Sequence, residues 1–281
     1  MRLGFNGATT LQADLSADIQ VAGESGFDVV EIWAPKLLHW LMQGGTLPGI
    51  WEQMNAAGLH AHSINSIERI NFGDERDRIG VQRLCHAYCA AAGFLEIPWV
   101  VVVPASRPAG LDDAAVREET TRALRELCDI ANVYGGVGLA FEFLGFADCS
   151  VNTLAQAWAI VQAVERPNVG LVLDTFHFYA GGSTLESIAD IDPAKLAIVH
   201  INDAEDRPPA ELSDAHRLLP GQGVIPLQEI MAAIRATGWD GVVSVELFRP
   251  AYWAWDGLRL AREARAAMEA LLQHRKQTRA P

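Results

Sequence analysis

Long apolar runs are missing from this sequence, and their absence bears on where the protein acts. No segment approaches the roughly 20 consecutive apolar residues that a membrane-spanning helix needs. The opening residues, Met1 to Asn6, also lack the apolar core of a signal peptide. We therefore expect a cytoplasmic protein with no membrane partner.

Cysteine and positive charge are both scarce. The four cysteines include no C-x-x-C pair, so we interpret them, Cys85 and Cys89 included, as small buried hydrophobes rather than a metal or redox site. Lysine and arginine number 22 against 35 aspartates and glutamates, which gives a net charge of −13. Such an acidic surface repels phosphate backbones, so we expect no nucleic-acid partner.

Linkers rich in proline and serine are absent as well, and the rest of the composition is that of a globular protein. Half of the 281 residues are hydrophobic and 20% are charged. The length suits one α/β barrel, which typically needs about 250 residues. We predict a single domain over residues 1–281.

A repeated pattern organises the chain, in which a helical stretch ends at glycine and a short apolar strand follows. Glycine is common just beyond a helix because it adopts the left-handed backbone conformation without strain. The predicted strands are 3–6, 29–33, 59–64, 99–103, 138–142, 169–174, 196–202 and 242–246. The predicted helices are 11–24, 48–57, 76–92, 112–134, 153–164, 184–190, 226–237 and 256–276.

This alternation predicts the fold. Several strands are nearly continuous valine, isoleucine and leucine, as expected when both faces of a parallel sheet are buried. Eight strand–helix repeats are typical of an α/β protein with a single (β/α)8 TIM barrel. The competing fold, a doubly wound open sheet, normally carries a phosphate-binding glycine loop after its first strand, and Gly4 to Thr10 does not match that loop.

Four consecutive predicted strands each deliver a side chain that can bind metal, namely Glu142, Asp174, His200 and Glu246. The strand ends of such a barrel meet at one mouth, where active sites lie. Taken singly, an acid can pair with an arginine at the rim, and the histidine can be a core residue. Their coincidence favours one divalent cation, because three converging carboxylates repel each other. The ligand types suit Mn²⁺, Mg²⁺, Co²⁺ or Zn²⁺.

Three further residues are predicted to lie at this mouth. His177 can bind a substrate hydroxyl or a second metal, or it can be a surface histidine. Arg217 can stabilise negative charge on a substrate oxygen, or it can form an ordinary salt bridge with a nearby aspartate such as Asp214. Trp33 ends the second strand and offers an apolar face to a sugar or cyclitol ring, unless it only packs a loop onto the barrel.

At these residues the sequence resembles the xylose isomerase-like superfamily of TIM-barrel sugar isomerases and epimerases, over nearly the whole chain. Within that group it most resembles the inosose isomerases, or 2-keto-myo-inositol isomerases, of myo-inositol catabolism. The matching stretches are 5–10 (FNGATT), 151–153 (VNT), 169–178 (VGLVLDTFHF), 220–223 (PGQG) and 242–250 (VVSVELFRP). Asn202 and Tyr179 depart from the inosose isomerase pattern, in which Asp and His are commoner.

The resemblance implies one catalytic divalent metal held by the four strand-end residues, with His177 and Arg217 in contact with substrate. We predict an isomerase that shifts the carbonyl of a keto-polyol, converting 2-keto-myo-inositol to its 1-keto isomer through an enediolate. Glu142 and Glu246 are the predicted proton-transfer residues. Which of them is the base stays open, and one residue can also serve as both base and acid.

Other functions are compatible with the same barrel. A ketohexose 3-epimerase, or a dehydratase of inosose or dehydroshikimate, would share the proton abstraction. A non-catalytic metal or sugar sensor would need the site without turnover. An apurinic endonuclease is a more distant alternative, since it needs extra metal-binding histidines where Asn65, Pro104 and Arg217 stand. A homo-oligomer is also possible, with Trp40 and Trp51 as candidate interface residues.

Overall fold

The eight predicted strands close into a parallel barrel, which confirms the (β/α)8 prediction. The computed structural model describes residues 1–273. In chain order its strands are β1 (Arg2–Asn6), β2 (Val29–Trp33), β3 (His60–Ile67), β4 (Trp99–Val102), β5 (Gly138–Glu142), β6 (Val169–Asp174), β7 (Leu196–Ile201), β8 (Asp203–Ala204), β9 (Arg217–Leu218) and β10 (Val242–Val245). β1 to β7 are neighbours in that order, and β10 closes the barrel between β7 and β1. β8 and β9 form a short antiparallel pair outside it.

The helices surround this barrel. They are α1 (Leu15–Glu24), α2 (Ala34–Met42), α3 (Leu47–Ala56), α4 (Glu75–Phe94), α5 (Asp113–Ala131), α6 (Leu154–Val164), α7 (Thr175–Ala180), α8 (Glu186–Ala189), α9 (Leu227–Ala236), α10 (Pro250–Trp253) and α11 (Gly257–Gln273). Their apolar faces and the outward faces of the strands form the main hydrophobic core. No helix within residues 1–273 is both long and apolar enough to cross a membrane.

The helix ends that the sequence places at glycine follow that prediction with one exception. Gly58 and Gly238 adopt positive φ angles of 69° and 86° just beyond α3 and α9, as the sequence predicts. α4 continues past Gly93 to Phe94, and the positive φ of 57° falls at Glu96 instead. The backbone at Gly93 is helical, so a glycine that follows two alanines there did not mark the end of the helix.

Other helices also differ from the sequence-based expectations. α1 begins at Leu15 rather than 11, because Asp14 caps it by accepting the Ala17 amide. The helices α2 and α7 were not predicted, because each follows its strand without an intervening loop. The predicted last helix, 256–276, is observed as α11 over 257–273, and its final three residues lie outside the described residues.

The interior of the barrel is filled at its N-terminal end. Trp99 occupies the space beside β5 and β6, where a Cβ on Gly138 or Gly170 would lie 2.4 Å or 2.9 Å from its ring. A small apolar cluster that includes Val101 and Ile198 lies in the same interior. Polar side chains therefore gather at the opposite, C-terminal end, as in other barrels of this type.

The two tryptophans suggested for an oligomer interface differ in exposure. Trp51 on α3 is 49% exposed. Trp40 on α2 is partly buried, and its indole nitrogen donates to the Thr46 carbonyl at 3.1 Å. A homo-oligomer therefore stays a prediction.

Candidate active site

The four predicted metal ligands meet at the C-terminal mouth of the barrel. Glu142 is the last residue of β5, Asp174 is the last residue of β6, and His200 pairs with Asp174 in the β6–β7 register. Glu246 directly follows β10. All four are buried, and one ligand atom from each lies within 4.8 Å of the others.

The spacing of these atoms fits a single divalent ion. His200 Nδ1 lies 2.9 Å from Glu142 Oε1 and 3.5 Å from Glu246 Oε2. Two ligands about 2.1 Å from a shared ion would lie roughly 3.0–3.4 Å apart at angles between 90° and 109°. Three carboxylates and one imidazole are also ligand types that Zn²⁺ and Mn²⁺ accept. The residues present can therefore hold such an ion.

The charges of the cluster point in the same direction. Burial raises the pKa of Glu246 to about 8, and the nearby carboxylates of Glu142 and Asp174 add to that rise despite His200 and Arg217. For His200, burial lowers the pKa, but Glu246, Glu31 and Glu142 together raise it well above its ordinary value. A histidine drawn towards its cationic form marks a site with excess negative charge, which a bound cation would neutralise.

Glu142 and Glu246 are held very differently. Glu246 Oε1 accepts hydrogen bonds from Asn65 at 2.7 Å and Asn6 at 3.0 Å, and its Oε2 accepts one from Arg217 at 3.0 Å. Within residues 1–273, the side chain of Glu142 has His200 as its one hydrogen-bond partner. Glu246 is thus fixed at both oxygens, whereas Glu142 keeps an oxygen without a protein partner.

Arg217, the first residue of β9, contacts the cluster and has 1% of its surface exposed. Its Nη1 donates to Asp174 at 2.6 Å as well as to Glu246, and its Nε donates to Asp214 at 2.8 Å. The rings of Phe176 and Phe248 lie 5.0 Å and 5.3 Å from the guanidinium carbon. The salt bridge with Asp214 considered from the sequence therefore forms, together with contacts to two predicted metal ligands.

His177 on α7 presents one nitrogen with no partner. Its Nε2 accepts a hydrogen bond from Arg217 Nη2 at 3.0 Å, so the ring proton is on Nδ1. His177 Nδ1 is buried and has no hydrogen-bond partner within residues 1–273. Burial lowers the pKa of His177, and the charge of Arg217 lowers it further against the opposing effect of Asp174. The side chain is therefore a neutral imidazole that can donate to a ligand oxygen.

A cavity of about 580 Å³ opens beside these groups. Its lining includes Glu142, His177, Arg217 and Glu246, and its large aromatic residues are Trp33, Phe146 and Phe248. The Trp33 and Phe248 rings meet nearly edge to face, 5.3 Å apart. The volume falls within the usual range for small-molecule pockets, about 300–1,000 Å³. The structure thus brings Trp33 to the cavity that also contains the predicted catalytic residues.

Four polar residues of the site were not singled out as functional from the sequence: Asn6, Glu31, Ser63 and Asn65. Glu31 on β2 has no exposed surface and lies 3.2 Å from His200 Nε2. Burial alone would raise the pKa of Glu31, but His200 and hydrogen bonds lower it to about 2. The sequence did carry a sign of it, because Glu31 is a lone charge inside the apolar run of β2.

The residues after β7 hold the loop that carries Arg217. The Asp203 carboxylate accepts hydrogen bonds from the backbone amides of Gly221, Gly223 and Ile225 at 2.9–3.0 Å. A Cβ on Gly223 would lie 2.1 Å from the Ala204 carbonyl oxygen, so this position needs glycine. The Pro-Gly-x-Gly stretch is therefore shaped to close onto β8.

Asn202, one of the two departures from the inosose isomerase pattern, contacts a predicted metal ligand. Its amide nitrogen donates to Asp174 at 3.1 Å, and its oxygen accepts a hydrogen bond from Thr175 at 2.9 Å. A neutral amide at this position stabilises the Asp174 carboxylate without adding another negative charge.

Comparison with known proteins gives a consistent result. The family described as xylose isomerase-like TIM barrel matches residues 19–273. The chain is 36% identical to an inosose isomerase of Bacillus velezensis, over 97% of each chain. It is 37% identical to an inosose isomerase of Bacillus subtilis, over 90% of this chain and 91% of that one.

A solved structure is also similar to this chain. A crystal structure of a protein called IOLI with a bound zinc atom superimposes with a TM-score of 0.94 and 34% identity. The match covers 99% of this chain and 100% of that one.

Proposed function

The chain belongs to the xylose isomerase-like TIM barrel family, and from that premise we propose that it isomerises a keto-polyol with the help of one divalent metal. The proposed reaction converts 2-keto-myo-inositol to its 1-keto isomer. The observation that carries the proposal is the convergence of four donor side chains, two of which, Glu142 and Glu246, line a cavity of small-molecule size. The inosose isomerases that share over a third of its residues support the choice of substrate.

The proposed metal ligands are Glu142, Asp174, His200 and Glu246. A divalent ion, when bound there, would supply the positive charge that polarises a ketone oxygen and stabilises the enediolate. Mn²⁺, Zn²⁺, Mg²⁺ and Co²⁺ are the candidates. Reconstitution of the metal-free protein with each ion, followed by turnover measurements, distinguishes among them.

Glu142 is the proposed general base. Its carboxylate lines the cavity and has one protein partner, so an oxygen is available to take the proton from the hydroxyl-bearing carbon next to the ketone. The proton returns to the former ketone carbon, and the hydroxyl hydrogen passes to the former ketone oxygen. The reaction therefore moves the carbonyl by one carbon with no net oxidation.

His177 and Arg217 have positioning roles in this scheme. His177 Nδ1 donates to a substrate oxygen, since that nitrogen carries a proton and has no partner in the described chain. Arg217 holds Asp174 and Glu246 in place through its Nη1. The Trp33 side chain forms one wall of the cavity, where it packs against the apolar face of the substrate ring.

Proton NMR in deuterium oxide tests the proposed function. Zn²⁺-loaded protein is incubated with 2-keto-myo-inositol, and Glu142→Gln serves as the inactive comparison. Glu96→Gln, which removes a carboxylate at the opposite end of the barrel, is the matched control and should turn over normally. A new keto-inositol isomer carrying deuterium on a ring carbon supports the proposal.

Three other results would indicate a different function. Loss of a hydroxyl group would identify a dehydratase. An unchanged inosose together with epimerised ketohexose would identify a ketohexose 3-epimerase. No reaction with any of these substrates, while the metal is bound, would contradict the enzyme assignment and favour a binding role.

A further inference from the structure

The two ring nitrogens of His200 face different groups. Nδ1 lies 2.9 Å from Glu142 and 3.5 Å from Glu246, on the side of the predicted metal ligands. Nε2 lies 3.2 Å from the carboxylate of Glu31 on the other side of the ring. Glu31 is not among the four residues whose ligand atoms converge, and it does not line the cavity.

We propose that Glu31 is a positioning residue, which accepts the Nε2–H of His200 and so presents the Nδ1 lone pair to the metal. This proposal rests on the metal site proposed above. A neutral imidazole carries one N–H, and its location decides which nitrogen can bind a metal. A carboxylate behind the ring fixes that choice and makes the other nitrogen a stronger ligand.

Glu31 is itself held in a fixed orientation. Ser63 on β3 donates its hydroxyl to Glu31 Oε2 at 2.6 Å, and Asn6 on β1 donates to Oε1 at 3.3 Å. The same Asn6 amide nitrogen also donates to Glu246. Three adjacent strands thus fix the carboxylate that orients His200, and one of their side chains links it to a predicted metal ligand.

Glu31 is not placed to contact a substrate, and neither are Asn6 and Ser63. Glu31 has no exposed surface, and neither of the two residues lines the cavity. Its effect on the reaction must therefore pass through the predicted metal ligands, directly through His200 and more remotely through Asn6 and Glu246. For this reason metal affinity, rather than turnover alone, is the quantity that tests its role.

The test measures Zn²⁺ affinity by competition with a chromogenic chelator for wild-type protein and Glu31→Gln. Loss of a carboxylate behind a metal-bound histidine typically weakens metal affinity by about 10–100-fold, and we expect a loss in that range. Glu68→Gln removes an equal charge at the rim of the same cavity without touching His200, so its affinity should stay within about twofold.

Two further measurements test the role of Glu31 independently. Ser63→Ala deletes the hydroxyl that holds Glu31 and should weaken Zn²⁺ binding by about 2–10-fold, which serves if Glu31→Gln does not fold. Imidazole ¹⁵N shifts of Zn²⁺-loaded wild-type protein should place the proton of His200 on Nε2 and the metal on Nδ1.

Different results would contradict the role of Glu31 and the metal site itself. Zn²⁺ bound through Nε2 of His200, or wild-type affinity in a folded Glu31→Gln variant, overturns the role of Glu31 alone. Wild-type protein that binds no divalent ion overturns the proposed metal site, and the role of Glu31 with it.

Discussion

Two sides of the barrel mouth contribute to the site in different ways. β5, β6, β7 and the end of β10 provide the donor atoms of the cluster, and we call them the ligand side. β1, β2 and β3 provide Asn6, Glu31, Ser63 and Asn65, which hydrogen-bond to those donors or to each other, and we call them the support side. The donors alone therefore do not define the geometry of the site, because side chains from three neighbouring strands orient them.

The largest effect is expected from removing a ligand-side donor. His200→Ala should reduce the metal content from one ion per chain to nearly none, because the site loses its one nitrogen donor and the partner of Glu31. Elemental analysis after gel filtration measures this. His60→Ala, an exposed histidine at the start of β3, should retain the metal. Full metal content in His200→Ala would contradict the assigned ligand side.

The two glutamates should separate within the ligand side. Glu142→Gln should lower kcat by about 10²–10⁴-fold, because the proposed base is lost. Glu246→Gln should also lose turnover. It should weaken metal binding more than Glu142→Gln does, because Glu246 is the carboxylate held at both oxygens by Asn6, Asn65 and Arg217. Steady-state kinetics and chelator competition on both variants measure the contrast. A metal-loaded Glu246→Gln enzyme with the wild-type rate would contradict the scheme.

A support-side substitution should weaken the site without destroying it. Asn65→Ala removes the 2.7 Å hydrogen bond to Glu246 Oε1 but leaves all four donors. We expect a loss of about 10-fold in kcat or metal affinity, as for other residues that orient metal ligands. Kinetics with the metal in excess would measure it. A loss as large as that of His200→Ala would erase the distinction between the two sides.

The smallest effect on chemistry, and a clear one on stability, is expected beneath the support side. Lys36 donates to the Gly7 and Thr10 carbonyls and to Asp18, which fixes the turn directly after Asn6. Lys36→Met removes the cation that balances the buried Asp18 carboxylate and should cost about 3–5 kcal/mol at pH 8, where Asp18 is charged in the wild-type protein. Arg262→Met, on the exposed face of α11, should change stability by less than about 0.5 kcal/mol.

The stability lost in the Lys36→Met variant should increase with pH. Burial raises the pKa of Asp18 from 3.8 to about 7 even beside Lys36, so the folded protein binds this proton more tightly than the unfolded chain does. The stability from this group is therefore present at low pH and lost as the pH rises through that window. Without Lys36 the pKa rises further, so the decrease in Tm should be larger at pH 8 than at pH 5. An equal decrease at both values would contradict the buried pair.

The ligand side was predictable from the sequence, and the support side was largely not. Glu142, Asp174 and Glu246 each follow an apolar run, and a charge at the end of a buried strand signals a site. Asn6 and Asn65 are neutral, so no buried charge in their part of the sequence indicates a functional site. Their roles depend on contacts with Glu246, 240 and 181 residues away, which only the closed barrel brings together.

The fold was predictable to a similar degree. The eight barrel strands follow from their apolar composition and from the glycines that precede several of them. α2 was missed because it begins at Ala34, immediately after β2, with a proline at its start in place of a loop. The double role of Arg217 was also hidden, since its spacing to Asp214 is local whereas its contacts with Asp174 and Glu246 are not.

Diffraction from crystals grown with Mn²⁺, using the anomalous scattering of the ion, tests both the metal site and the orientation of His200. We expect one peak, bounded by Glu142, Asp174, Glu246 and the Nδ1 of His200, with Glu31 beside the opposite nitrogen. A peak away from these side chains, or one bound to Nε2 with Glu31 displaced, would contradict it.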